Sequence, residues 1–274
     1  GTLVDPYQIS TANDLEYLAV VCWTRTSFAS TEQTNYETSG KYFQLQNDID
    51  LSTSSFASNF LPIGGLLRES TTTLGKDGAY SFRGVFDGNN HYVSGIRVTI
   101  PSTTTLTTIT ITNGALDGSN SVDYSYTYYL GNSLPSAAGG ILNKKATTKG
   151  FALFGATYNA TIKNLGVKDV QMSGVASAYS NNRAGMAAFM NGTTIKDSYV
   201  ENINLVDATN TANSAFVTSD AGFVCFSGNG ASVINNCYVK DAHVEGGDAG
   251  CFGGFMDNMT INNCYVSGTS TVKS

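Results

Sequence analysis

One short pattern occurs five times along the chain and constrains its architecture more than any local motif. Each copy has an apolar anchor, two residues that are mostly polar, a fourth residue that is usually apolar or small, and a valine at the sixth position. The copies occupy residues 93–98, 162–167, 195–200, 234–239 and 261–266. One such unit cannot bury its apolar side chains alone, so repeated units stack on one another. The sequence therefore predicts a stack of similar structural units.

A second motif of small and apolar residues precedes each copy by 9 to 12 positions. It occupies residues 84–87, 152–155, 185–188, 222–225 and 250–253. Alternation from the fourth to the sixth position of each copy predicts a short strand with one buried face. Between anchor and strand stand residues such as Asn164 and Asp197, which tolerate left-handed turns. Strand, corner and strand in every unit predict an all-β parallel β-helix, with strands about 4.8 Å apart. A helical solenoid is the competing interpretation, and the absence of a 3.6-residue period disfavours it.

The charge of the chain narrows its possible partners. Charged residues make up only 13% of the chain, its net charge is −6 and its pI is about 4.8. Nucleic-acid binding requires clustered Lys and Arg, so we expect no nucleic-acid partner. The sequence has neither an apolar run of about twenty residues nor a charged-then-apolar amino terminus. It therefore predicts no membrane span and no signal peptide within these residues.

A single convincing helix precedes the repeats. Thr11 and Asp14 have the spacing of a capping box. Apolar residues follow on one helical face at positions 15, 18, 19 and 22. Such a helix can cover the end of a stack that would otherwise present unpaired strand edges. We expect residues 1–40 to form this cap.

Four segments resemble, in order, the opening of bacterial surface proteins that carry GLUG repeats. The segments are residues 7–15, 42–51, 61–64 and 82–90, and the later repeat copies resemble the GLUG repeats themselves. The resemblance implies a right-handed parallel β-helix found in secreted and cell-surface adhesin-like proteins and in non-catalytic parts of some surface proteases. It implies no catalytic residues and no cofactor. The sequence departs from the repeat pattern at Ala152, Ala188 and Cys225, and at Ser198, Cys237 and Cys264, where Leu is usual.

The residues that could carry chemistry all have structural explanations. The five cysteines fall at inward or small-residue positions, so we expect buried thiols rather than disulfides. The two histidines lie in unrelated units and no C-x-x-C pair occurs, so no metal site is predicted. Aspartates 48, 50, 169, 197, 207 and 241 fall at turns, and Arg183 and Lys168 are isolated cations that a lyase could use. A β-helix groove can nevertheless host a polysaccharide lyase or glycoside hydrolase, and this remains the enzymatic alternative.

An insertion separates the first two copies of the repeat. The segment 103–112 alternates Thr with apolar residues, and the segment 122–130 has tyrosines at every second position. Together they predict a lateral β-hairpin-like insertion within residues 100–149. We expect a ligand-binding patch of rigid aromatic side chains there, made by Tyr124, Tyr126, Tyr128 and Tyr129. The alternative is that these tyrosines pack on the flank of the stack.

These observations predict one domain spanning residues 1–274. It would comprise the cap (1–40), the first coils (41–99), the insertion (100–149) and the repeat coils (150–274). We expect a non-catalytic adhesin-like protein that is extracellular or on the cell surface after removal of a signal peptide, and binds host or microbial glycans or surface proteins. The alternatives are the enzyme described above and a structural stalk. Further domains at the carboxyl end are left open by the sequence.

Overall fold

The secondary structure of the chain is almost entirely β. A computed structural model describes residues 1–23, 38–54, 56, 60–65, 81–100, 105–114, 122–130, 150–174, 182–207, 219–228 and 230–273. Over this part of the chain there are 25 strands, numbered in chain order, and one helix. The named strands pair in parallel, with one antiparallel pair as the exception. The prediction of an all-β chain with parallel sheets is confirmed.

Four parallel sheets and the antiparallel pair contain these strands. Sheet I comprises β9 (Gly150–Phe151), β13 (Asn182–Ala184), β17 (Ser219–Ala221) and β21 (Asp248–Gly250). Sheet II comprises β10 (Thr157–Tyr158), β14 (Ala187–Asn191), β18 (Val224–Ser227) and β22 (Gly253–Met256). Sheet III comprises β1 (Tyr7–Ile9), β2 (Tyr42–Leu45), β4 (Val85–Asp87), β11 (Thr161–Lys163), β15 (Thr194–Lys196), β19 (Ser232–Asn235) and β23 (Met259–Asn262). Sheet IV comprises β3 (Ile49–Asp50), β5 (Tyr92–Ser94), β6 (Arg97–Ile100), β12 (Gly166–Gly174), β16 (Tyr199–Asp207), β20 (Tyr238–Glu245), β24 (Tyr265–Ser267) and β25 (Thr271–Lys273).

The chain visits these sheets in a fixed order. In each of four repeat units, residues 150–174, 182–207, 219–245 and 248–273, strands enter sheets I, II, III and IV in turn. One apolar cluster takes residues from all four sheets, among them Phe151, Met190, Ile195 and Val200. The core therefore lies between the sheets, and each repeat unit adds one layer to it.

Residues at the corner between sheets III and IV have the left-handed conformation that the sequence predicts. The backbone angle φ is 53° at Asn164, 51° at Asp197, 53° at Asn236 and 50° at Asn263. Their side chains also bond to one another along the stack, since the Asn236 amide donates to Asp197 at 3.0 Å. Short polar side chains thus make the turn and join neighbouring repeat units.

The amino-terminal helix α1 (Ala12–Trp23) forms as predicted. The Asp14 carboxylate accepts a hydrogen bond from the Thr11 backbone N–H at 2.9 Å, and the Asp14 N–H donates to the Thr11 hydroxyl at 3.3 Å. Leu15, Leu18 and Ala19 are fully buried and belong to the same core cluster as the sheets. No helix in the described residues has the length and hydrophobicity that crossing a membrane requires.

Two assignments of the repeat pattern are wrong. Val93 does not align with Ile162 but pairs with Val167, and Phe86 occupies the position of Ile162. The first copy of the second motif is also misplaced, because Val85 lies in sheet III and pairs with Thr161. The corner after β4 contains two consecutive left-handed asparagines, Asn89 and Asn90. This longer corner displaces the strand that follows, so spacing alone misaligns the first unit.

The second motif, made of small and apolar residues, is aligned wrongly by one residue between the third and the last repeat unit. Gly250 pairs with Ala221 rather than with Gly222. The predicted match of Gly185 with Gly222 is confirmed, since Ala184 pairs with Ala221 and Ala187 pairs with Val224 on either side of it. Small residues occupy both neighbouring positions, so composition does not distinguish the two registers.

The insertion contains the predicted pair of strands. Strands β7 (Thr105–Gly114) and β8 (Val122–Leu130) pair antiparallel and form a separate sheet. The backbone of β7 lies beside α1. The hairpin strands therefore adjoin the helix that covers the core.

Candidate functional site

Sheet IV bends at one residue of each long strand. In β12, Val167, Val170 and Met172 are buried, whereas Lys168 and Asp169 lie consecutively on the outside. Strict alternation would bury one of these two residues. The left-handed conformation of Asp169, with φ of 53°, allows the extra outward residue because aspartate tolerates this region. The strand therefore changes direction at Asp169.

The bend recurs at the same register along the whole sheet. Each equivalent residue has a positive φ, and we call this set the bend line. The bend line consists of Gly95, Asp169, Asn202, Asp241 and Gly268. A Cβ atom on Gly95 would lie 2.6 Å from the Ser52 backbone N and 2.8 Å from Asp50 Oδ1. Glycine at this position lets the turn after β3 approach the bend line closely.

A surface pocket of about 340 Å³ opens along the bend line. It lies on the outer side of sheet IV, away from the apolar core. Its side chains are almost all polar, and we call the six that carry the argument the polar groove. The polar groove consists of Asp50, Arg97, Asp169, Gln171, Asn202 and Asn204. These residues come from β3, β6, β12 and β16, which only the parallel pairing of sheet IV brings together.

Hydrogen bonds and charge hold the groove side chains in place. The Ser52 side chain and backbone N–H donate to Asp50 and, with the nearby Arg97 charge, lower the pKa of that carboxyl, although slight burial opposes the shift. The Arg97 guanidinium donates to the Gln171 side-chain oxygen. The Asn202 amide donates to Asp169. With two carboxylates and one guanidinium, the groove has a net charge of −1 at neutral pH.

A row of tyrosines runs beside the groove on the same face. The rings of Tyr199 and Tyr238 stack with centroids 4.9 Å apart, and those of Tyr238 and Tyr265 with centroids 5.4 Å apart. Lys168 Nζ lies 4.2 Å from the centroid of the Tyr92 ring and 5.5 Å from that of Tyr199. Stacked rings cover one another's faces, so this row reinforces strand pairing rather than offering open faces to a ligand.

The predicted tyrosine patch does not coincide with the groove. Tyr124, Tyr126, Tyr128 and Tyr129 lie on β8, at positions paired with 111, 109, 107 and 106 of β7. By strand alternation the first three share one face and Tyr129 lies on the other. The side chains of these tyrosines are outside the described part of the structure. Their role in ligand binding stays a prediction.

The other residues considered for catalysis have structural roles where the structure describes them. Asp48 accepts a hydrogen bond from the Tyr92 backbone N–H at 3.1 Å and lies 3.0 Å from His91 Nδ1. Arg183 is 2% exposed and donates to the backbone carbonyl of Val206 at 2.8 Å. Lys168 lies over the tyrosine rings. The side chain of Asp207 is outside the described residues.

All five cysteines are thiols. Cys22, Cys225 and Cys237 are buried as predicted, whereas Cys251 and Cys264 are partly exposed. Burial raises the pKa of both Cys22 and Cys237 to about 12. These two thiols are therefore protonated at neutral pH and unreactive. Among the described residues, no group of three or more His, Cys, Asp or Glu side chains could hold a metal ion.

Sequence reasoning missed the polar groove, although a signal for it was present. Asp169, Asn202 and Asp241 each follow the terminal valine of a repeat copy by two positions. Taken one at a time these residues are explained as turn residues, and only their common spacing shows that they form one line. Asp50 and Arg97 join this line only through strand pairing, which the misaligned first unit concealed.

Comparisons with known proteins do not assign the chain to a family. No protein-family model matches it, and no curated protein matches it. Among solved structures, a "putative immunoglobulin A1 protease from Bacteroides ovatus" matches over 100% of this chain and 78% of its own length, with 14% sequence identity and a TM-score of 0.38. Similarity at this level carries no argument about function.

Proposed function

We propose that the chain is a right-handed parallel β-helix that acts as a non-catalytic, adhesin-like glycan-binding module, secreted or displayed on the cell surface. The fixed order of sheets I to IV in every repeat unit supports the β-helix. Right-handed connections between parallel strands predominate in proteins, which supports the hand. The resemblance to GLUG-repeat surface proteins supports the location.

The polar groove is the observation that carries the proposed glycan binding. Sugar hydroxyls both donate and accept hydrogen bonds, so a sugar site needs both kinds of partner. Asp50 and Asp169 supply acceptors, Arg97 supplies donors, and Gln171 and Asn204 supply both. The groove is concave and these groups converge on it from four strands, as in small-molecule binding sites.

The charge state of Asp50 does not suit the general acid of a glycosidase. A glycosidase needs one protonated carboxyl as general acid, and burial usually raises the pKa of that group. Asp50 has the opposite shift, a lowered pKa, and is exposed. It is therefore ionised at neutral pH and serves as a hydrogen-bond acceptor.

Binding to an array of neutral glycans, acidic glycans and matrix proteins tests this proposal. We expect the wild-type chain to bind glycans, and the Arg97→Ala/Gln171→Ala variant to bind them at least about tenfold more weakly, because two hydrogen-bonding side chains are lost. Lys196→Ala removes a positive charge from sheet III and is the matched control. Tyr126→Ala/Tyr128→Ala probes the hairpin. Circular dichroism establishes that each variant is folded.

Each alternative predicts a different result. Loss of binding in the hairpin variant, with the groove variant unaffected, would locate the site on β8 instead. Shortened sugar chains released into solution would identify the polysaccharide-acting enzyme. A folded wild-type chain that binds nothing on the array would contradict glycan binding and favour the structural stalk.

A further inference from the structure

The hydrogen-bonding groups of the groove continue beyond the pocket. Arg97, Gln171, Asn204, His243 and Thr271 pair in register on β6, β12, β16, β20 and β25. Five adjacent parallel strands, about 4.8 Å apart, give this polar row a length of about 19 Å perpendicular to the strands. The pocket covers only its first three residues. The row therefore extends the polar groove along the stack.

The bend line runs parallel to this row and repeats at the same spacing. The Asp169, Asn202 and Asp241 side chains follow one another on β12, β16 and β20. The Asp241 carboxylate is fixed by the Thr269 backbone N–H at 2.7 Å, and Asn202 is fixed by its bond to Asp169. Two parallel rows of polar side chains thus run side by side across β12, β16 and β20.

From this repetition we propose that the groove binds a linear, neutral glycan lengthwise across the strands of sheet IV. The inference rests on the proposed function and names the ligand class of the same site. A linear glycan presents hydroxyls at every sugar unit, so a longer chain meets further polar groups on β20 and β25. A single sugar or a disaccharide reaches only the pocket end, where Asp50 and Arg97 lie.

The charges along the groove disfavour an acidic glycan. The charge of Arg97 is offset by Asp50, which lies close enough for that charge to lower its pKa, whereas the guanidinium has five N–H donors and can still bond neutral hydroxyls. The neighbouring cations are also engaged, because Lys168 lies over two tyrosine rings and Lys240 pairs with Glu201 at 2.6 Å. Among the described residues, a uronic acid carboxylate would therefore meet the groove's net negative charge without an unengaged cation to compensate.

Calorimetric titration with sugars of defined length tests the inference. The neutral probes are the disaccharides and hexasaccharides of the cello-, malto-, xylo- and manno- series, and the acidic probe is hexagalacturonate. We expect at least one neutral hexasaccharide to bind about tenfold or more tightly than its disaccharide, and hexagalacturonate to bind more weakly than that neutral hexasaccharide.

Two variants locate the contacts along the groove. Arg97→Ala is expected to weaken both the disaccharide and the hexasaccharide by about tenfold. His243→Ala is expected to reduce the advantage of the hexasaccharide over the disaccharide to about threefold or less, because it removes a contact that only the longer chain reaches. Lys196→Ala again serves as the control and leaves both affinities unchanged.

The outcomes separate this inference from the proposed function. Equal affinity for disaccharide and hexasaccharide, or tighter binding of hexagalacturonate, would overturn the lengthwise neutral ligand while Arg97-dependent binding still supported the groove. The lengthwise neutral ligand would also be overturned if no neutral probe bound. The groove would still be supported if other glycans on the array bound and required Arg97 and Gln171. Absence of glycan binding on the array as well would overturn both.

Discussion

Asparagine and aspartate occupy every non-glycine position with a positive φ in the described residues. There are eleven, with φ between 49° and 66°. For most L-residues this conformation is costly, whereas Asn and Asp tolerate it because their short polar side chains bond locally. These residues set both the corners between sheets III and IV and the bend line of sheet IV. Single residues thus determine where the chain turns and where the groove lies.

Glu16 places a carboxyl group in a fully buried position. It lies on α1, is 0% exposed, and neither carboxylate oxygen makes a hydrogen bond of good geometry within the described residues. Burial raises the pKa of Glu16 well above 4.5, and the backbone at Leu61 offsets only part of this effect. A carboxyl of this kind is protonated more readily in the folded chain than in the unfolded chain.

The contribution of Glu16 to stability should therefore fall as pH rises above about 4.5, the pKa of this group in the unfolded chain. Above this pH the Glu16 carboxyl ionises in the unfolded state, which lowers the free energy of that state. The loss of stability levels off above the pKa of Glu16 in the folded state. Glu16→Gln removes this titration. We expect the variant to be more stable than wild type by about 1 to 3 kcal/mol at pH 8, with the difference shrinking towards pH 4.

Urea unfolding at several pH values measures this effect. Glu201→Gln is the control, because Glu201 pairs with Lys240 at the surface and its loss should bring no gain in stability at high pH. Stability curves of wild type and Glu16→Gln that stay parallel from pH 4 to pH 8 would contradict the account of Glu16.

At the scale of elements, small side chains occupy one position between sheets III and IV in successive repeat units. We call this row, Ser198, Cys237 and Cys264, the small-residue ladder. The Ser198 hydroxyl donates to the Lys196 carbonyl at 2.7 Å and accepts from the Leu165 backbone N–H at 3.2 Å. Two units further, the Cys264 thiol donates to the Asn262 carbonyl at 3.0 Å and accepts from the Cys237 backbone N–H at 3.4 Å. Leucine, which the GLUG pattern has here, could not make these bonds.

Cys237 stands in the middle of this ladder and allows a test of it. Its thiol donates to the Asn235 carbonyl at 3.2 Å. Because its pKa is about 12, the thiol keeps this proton at neutral pH. Cys237→Ser retains a donor and an acceptor, so we expect a loss of less than about 1 kcal/mol, whereas Cys237→Ala should cost about 1 to 3 kcal/mol. Thermal or urea unfolding measures both, and equal losses would show that only packing matters.

At the scale of the whole molecule, the repeats made the stacking of parallel strands predictable. The corners, the cap helix and the hairpin strands could also be predicted, because each depends on residues close together in sequence. The bend-line residues carry a signal in the repeats, but the groove as a whole could not be predicted, because Asp50 and Arg97 reach Asp169 and Gln171 only through the pairing of sheet IV. Spacing misaligned the first unit, since the asparagines at 89 and 90 lengthen its corner.

The central claim is that the bend line of sheet IV holds a glycan. A crystal structure of the chain with the neutral hexasaccharide that binds most tightly tests it most directly. The account predicts sugar density along the bend line, crossing β12, β16 and β20, with contacts to Arg97 and Gln171. Sugar density confined to the tyrosines of β8, or to another face of the molecule, would contradict it.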